Sequence, residues 1–151
     1  MGRNPMRAVV TLCAAATLAV PLGTASAAPS PDRTTTRRGG DPVLVDCASR
    51  PEVGPASFIL ACGDGNSRLA SMSWVRWDAR AAAGRGVNVV NDCVPYCAAG
   101  TFHSYPVRVR LDQPRPWEKD PGQEHYTRIT LVYTDGAPDG APRVVTLPLW
   151  S

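Results

Sequence analysis

Tyr105-Pro106-Val107-Arg108-Val109-Arg110-Leu111-Asp112 decides the fold. Val107, Val109 and Leu111 fall on one side of an extended chain, with Arg108, Arg110 and Asp112 on the other. Side chains alternate across a strand, so a period of two gives one buried face and one wet face. The same alternation returns over residues 126–134, where Ile129, Leu131 and Tyr133 oppose Arg128, Thr130 and Thr134. One dry and one wet face is the pattern of antiparallel sheet.

Working outward, Val43-Leu44-Val45 is a short apolar run. Phe58 to Cys62 is another, and it ends in Gly63-Asp64-Gly65-Asn66, residues that tolerate the backbone of a tight turn. Arg68 to Trp77 follows, so residues 58–77 read as a hairpin. Val87 to Val90 is a weak strand, and Val144 to Trp150 closes the chain. Asp135-Gly136-Ala137-Pro138 repeats at once as Asp139-Gly140-Ala141-Pro142, a loop between the last two strands. Gln113 to His125, rich in Pro and charge, reads as a connection carrying Trp117. Asp78 to Ala83, stopped by Gly84, offers one turn of helix at most, because so short a helix is marginal alone. Many short strands with Pro and Gly punctuation predict an all-β fold, a small antiparallel β-sandwich over residues 42–151, with a small barrel as the second choice.

The first 27 residues read differently. Arg3 and Arg7 precede an apolar run from Ala8 to Val20, and Ala25-Ser26-Ala27 supplies small residues for cleavage. Together these make a secretory signal, too short to span a bilayer. Cys13 is not read as a lipid anchor, since Leu12 precedes it where a small residue is needed. Residues 28–41, with no apolar residue beyond Ala28, form an expected disordered leader. Removing 27 of the 151 residues leaves 124, the size of one domain. The whole chain carries 16 Lys and Arg against 13 Asp and Glu, and losing Arg3 and Arg7 reduces the balance from +3 to +1. No basic run interleaved with aromatics remains, which argues against a nucleic-acid partner. No stable membrane anchor is expected after cleavage.

Four cysteines stay in the mature chain: Cys47, Cys62, Cys93 and Cys97. An even number in an exported chain implies disulfides, and the sequence leaves three connectivities open. Cys47–Cys62 is expected to join two strand ends, and Cys93–Cys97 to close a loop that Pro95 already bends. The competing arrangement is a zinc site from Cys93, Cys97 and His103, with Asp92 or His125 as the fourth ligand. It is disfavoured because thiolates oxidise outside the cell.

Catalytic patterns are weak. Neither His103 nor His125 lies in a recognisable frame, and no Gly-x-Ser-x-Gly elbow exists. His103 reads as a partly buried ring bonded to backbone, His125 as a solvated ring in a polar loop. Glu118, Asp120 and Glu124 read as a solvated loop rather than the carboxylate pair of a glycosidase. Asp64-Gly65-Asn66 lacks the downstream Glu of a calcium loop. No cofactor signature is found, so no catalytic, cofactor or metal residue is assigned. Trp74 and Trp77, three apart on a strand, are expected on opposite faces. Trp117 is the expected exposed anchor for a ligand, since aromatic residues are enriched at interfaces.

Several segments together resemble a known family. They are Ala61-Cys62-Gly63-Asp64-Gly65-Asn66, Ser73-Trp74-x-x-Trp77, Ala82-x-Gly84-x-Gly86, Asn91-Asp92-Cys93-x-Pro95-x-Cys97-Ala98-Ala99-Gly100, Pro106-Val107-x-Val109 and the closing Tyr133 strand. In order, they are similar to small exported actinobacterial proteins of uncharacterised function, over roughly residues 43–150. Here Asp78 follows the second Trp, where that family commonly has Gly. The resemblance implies export, compactness and disulfides, and carries no activity or site. The expected function is non-enzymatic binding of an extracellular protein or envelope component. A secreted proteinase inhibitor and a hydrolase of unknown type are the alternatives.

Overall fold

The computed structural model describes residues 40–150. The expected signal segment, Cys13 and the leader up to residue 39 lie outside the described residues. Eight strands follow in order: β1 Leu44–Val45, β2 Pro51–Glu52, β3 Phe58–Ile59, β4 Ser67–Trp77, β5 Ala82–Asn91, β6 Phe102–Trp117, β7 Asp120–Tyr133 and β8 Val144–Pro148. Strands β3 to β8 form one six-stranded sheet in sequence order, every neighbour antiparallel. β1 and β2 pair separately.

The register follows the alternation. Val107 lies opposite Tyr133, Val109 opposite Leu131 and Leu111 opposite Ile129. All six are buried and belong to one core cluster, while Arg108 and Arg110 are exposed. The sheet curls over this face. Phe58 of β3 stacks on Trp150, just past β8, with centroids 5.7 Å apart and planes 7° from parallel. Leu44 brings the small sheet into the same core. The result is an all-β curled half-barrel and sandwich, stapled by Cys47–Cys62 and Cys93–Cys97 as expected.

Trp74 and Trp77 correct the expectation of opposite faces. Trp74 pairs with Gly84 and Trp77 with Ala82, two positions apart on β5, because a bulge between Trp74 and Arg76 absorbs one residue. The two rings meet edge to face at 4.8 Å, and Trp77 meets Tyr126 in the same way. Gly84 is required beneath them: a Cβ there would stand 2.9 Å from the Trp74 ring and from the Ser73 carbonyl oxygen.

Gln113 to His125 is not a loop. β6 runs on through Trp117 and β7 begins at Asp120, so this stretch is the arm of a long hairpin. Pro114 and Pro116 are tolerated because β5 pairs with β6 only as far as Leu111. Beyond that point one edge of β6 has no partner among the described residues, and a missing N–H there breaks no ladder. Residues 78–83 hold no helix either. The Asp78 carboxylate accepts the Arg80 and Ala81 N–H groups, closing a turn that feeds β5 at Ala82. The strand expected over 58–62 ends at Ile59, and the weak strand at 87–90 is the end of the longer β5. Among the described residues no helix is long and apolar enough to cross a membrane.

Candidate functional site

The connection from β5 to β6 is built by two side chains. Asn91 is buried, and its Nδ2 donates to Asn66 Oδ1 at 2.9 Å and to the Cys97 carbonyl at 2.7 Å. Its Oδ1 accepts the Cys93 N–H at 3.0 Å. Asp92 Oδ1 accepts the Val94 and Thr101 N–H groups at 3.0 and 2.9 Å, bridging the two ends of the loop. Asn and Asp suit this role because their short side chains mimic a backbone turn. The Cys93–Cys97 disulfide and a 3-10 turn at Cys97–Ala99 complete the loop. Gly100 has to be glycine, since a Cβ would collide with the Asn91 carboxamide oxygen and the Cys93 backbone.

The loop turns its apolar residues outward. Val94 is 67 % exposed, Tyr96 64 % and Phe102, which starts β6, 45 %. The Arg68 guanidinium lies over the Phe102 ring, 5.0 Å from its centroid. A cleft of about 650 Å³ opens beside the loop, lined by Asp92, Val94, His103, Tyr105, Pro138 and Asp139 among others. Pro138 and Asp139 come from the repeated Asp-Gly-Ala-Pro loop.

His103 Nε2 lies 2.9 Å from Asp92 Oδ2. The His103 bond and the Thr101 and Val94 amides pull the Asp92 carboxyl down to about 2, well below the usual range. His103 is therefore half-exposed and held by a carboxylate, not partly buried against backbone as its sequence context suggested. A carboxylate–imidazole pair can orient a ligand or hold a proton. Tyr105, which also lines the cleft, meets Tyr133 edge to face with ring centroids 6.1 Å apart. The disulfide takes both thiols, so the zinc arrangement with His103 is not realised.

Two residues singled out from sequence lie elsewhere and are buried. Trp117 is 6 % exposed and packs with Val43 and Val45 in a second small core cluster. The arm of β6 and β7 folds against β1, so the anchor expected on a loop is core. His125, expected in solvent, is 3 % exposed beneath the same segment. Val43 bonds on either side of it, donating to the Glu124 carbonyl and accepting from the Tyr126 N–H. Glu118, Asp120 and Glu124 are spread along the arm, and Lys119 reaches Ser49 at 2.6 Å. Sequence reasoning missed Tyr96 and Phe102, and it joined Asp92 to His103 only as candidate zinc ligands, not as a hydrogen-bonded pair. The signal for the pair was Asn91-Asp92 standing directly before the cysteine loop.

No family model matches the chain, and neither a curated protein nor a solved structure matches it.

Proposed function

We propose that this is an exported, non-enzymatic binding domain that recognises a protein partner through the Cys93–Cys97 loop. One observation carries the reading: Val94 and Tyr96 stand exposed on a loop whose backbone is pinned by Asn91, Asp92 and a disulfide, with exposed Phe102 beside them at the start of β6. Apolar side chains on a pre-ordered loop bind with little ordering entropy, and tyrosine is enriched at interface hot spots. The Asp92–His103 pair beside the loop supplies polar contacts at the rim. The two disulfides support an oxidising compartment, and the secretory pattern at residues 1–27 supports export. The proteinase-inhibitor alternative is less favoured. Cys93 has a positive φ of 54° and residues 97–99 turn back on themselves, so little of the loop runs in the extended form a protease cleft takes.

Capture from culture medium and wall fragments tests the proposal. Wild-type protein should retain a specific partner that the Tyr96→Ser, Phe102→Ser double variant releases, while both melt at the same temperature. Equal capture by the two proteins refutes the loop as the recognition surface. Intact mass of the exported protein should start at Ala28, and a retained residue 1–27 segment refutes the export pathway.

A further inference from the structure

A second cleft, of about 420 Å³, opens on the wet face of the six-stranded sheet. Its place follows from the register. Ser73 of β4 lies opposite Arg85 of β5, and Arg85 lies opposite Arg108 of β6. Directly opposed residues point to the same face, so these three make one row across three strands. Arg108 faces away from buried Val107 and Val109, and the row goes with it. The neighbouring row is apolar, with Val87 of β5 opposite Pro106 of β6. Between the two rows β4 bulges, and Ser71 and Met72 together stand against Gly86. Met72 turns into the core, whereas Ser71 is exposed and lines the cleft. Arg85 lies roughly 20 Å down β5 from Asn91, at about 3.3 Å per residue, so this site is separate from the loop surface proposed above and stands or falls independently.

Arg85 and Arg108 are like charges directly opposite one another, with Cβ atoms about 5 Å apart, an arrangement that repels. Among the described residues neither has a carboxylate partner. Other arginines of this face do: Arg110 and Arg128 both bond Asp112, and Arg76 bonds Asp78. Ser71 adds an independent sign. Its φ of 51° is left-handed backbone, which glycine adopts freely and serine only at a cost. Serine at this bulge gives the cleft a hydroxyl that glycine would not. An arginine fork matches two phosphate oxygens, and a phosphate monoester carries about −1.5 to −2 charge at pH 7, enough to offset both arginines. A carboxylate, with one charge, offsets only one of them. We propose that this cleft binds a phosphate monoester. The phosphoryl group lies between Arg85 and Arg108, the Ser71 and Ser73 hydroxyls donate to its oxygens, and the organic part rests on Val87 and Pro106.

Phenyl phosphate, methyl phenyl phosphate and inorganic phosphate are the probes, each titrated into the full chain in phosphate-free buffer while backbone amide resonances are followed. Phenyl phosphate should shift Ser71, Ser73, Arg85 and Arg108 saturably, with a Kd of about millimolar for so small a ligand. Methyl phenyl phosphate, a diester with a single negative charge, should bind at least about tenfold more weakly. Inorganic phosphate has no ring to place on Val87 and Pro106 and should bind at least about threefold more weakly. R85Q and R108Q should each lose about tenfold in phenyl phosphate affinity, whereas R115Q, on the arm of β6, should bind like the wild type. S71G should lose about threefold without melting at a lower temperature, because glycine relaxes the bulge while removing the hydroxyl. Phenyl phosphate without saturable shifts at this cleft, either other probe binding as tightly, or R85Q, R108Q or S71G retaining full affinity while folded, each overturns the proposal.

Discussion

Trp117 separates the two roles its sequence position allows. As a ligand anchor on a loop, its loss would leave the fold untouched; as the centre of a cluster with Val43 and Val45, its loss unpins β1. The ring is 6 % exposed. Truncation to alanine gives up about 150 Å² of buried apolar surface, or about 4 kcal/mol at about 25 cal/mol per Å². The indole Nε1 is buried and, among the described residues, has no hydrogen-bond acceptor. Deleting that orphan donor returns about 1–2 kcal/mol, so the net loss for Trp117→Ala is about 2–3 kcal/mol. For a domain of this size that lowers Tm by roughly 8–12 °C. Trp117→Phe keeps most of the contact and drops the orphan N–H, so its stability should stay within about 1 kcal/mol of wild type. Urea unfolding followed by circular dichroism gives both values. A Trp117→Ala protein melting within about 2 °C of wild type would refute the burial argument and restore the tryptophan as a surface residue.

The register of the central strands makes a second test. Leu131→Ala removes a side chain 2 % exposed in the main core and should cost about 2–4 kcal/mol, whereas Arg108→Ala on the wet face should stay within about 0.5 kcal/mol, both read from urea midpoints. The disulfides differ by loop length: replacing Cys47 and Cys62 by serine, 15 residues apart, should cost about 3 kcal/mol by chain entropy, and the same change at Cys93 and Cys97, 4 apart, about 2 kcal/mol. Peptide mapping should recover no cross-pair such as Cys62–Cys93. Burial holds the His125 imidazole below its ordinary 6.5, so the unfolded chain takes up that proton first. The stability this residue contributes is full above about pH 6.5 and falls as pH drops toward the lower folded value, a slope that His125→Gln should remove from urea midpoints measured between about pH 7.5 and pH 5. Asp92, pulled down to about 2 chiefly by the His103 bond, acts in a separate window: its contribution is present above the ordinary carboxylate value and is lost as pH falls toward about 2.

Local chemistry was legible in the chain wherever it acts over a few residues. The Val107, Val109, Leu111 and Ile129, Leu131, Tyr133 alternation needed only the period of a strand to give the fold class and the buried face. Cysteine spacing and the bend at Pro95 pointed to both disulfides. Long-range contact decided the rest. Gln113 to His125 looked like a polar loop because its prolines and charges are those of loops, yet a strand arm whose outer edge has no partner accepts them. Trp117 and His125 looked solvated for the same reason, and only the docking of β1, 70 or more residues away, covers them. Trp74 and Trp77 share a face because a bulge, invisible in residue spacing, shifts the register by one. The Asp92–His103 pair is likewise a product of which strand ends meet. A side chain's local pattern states its preferred backbone; which face is covered depends on segments far along the chain that the pattern does not see.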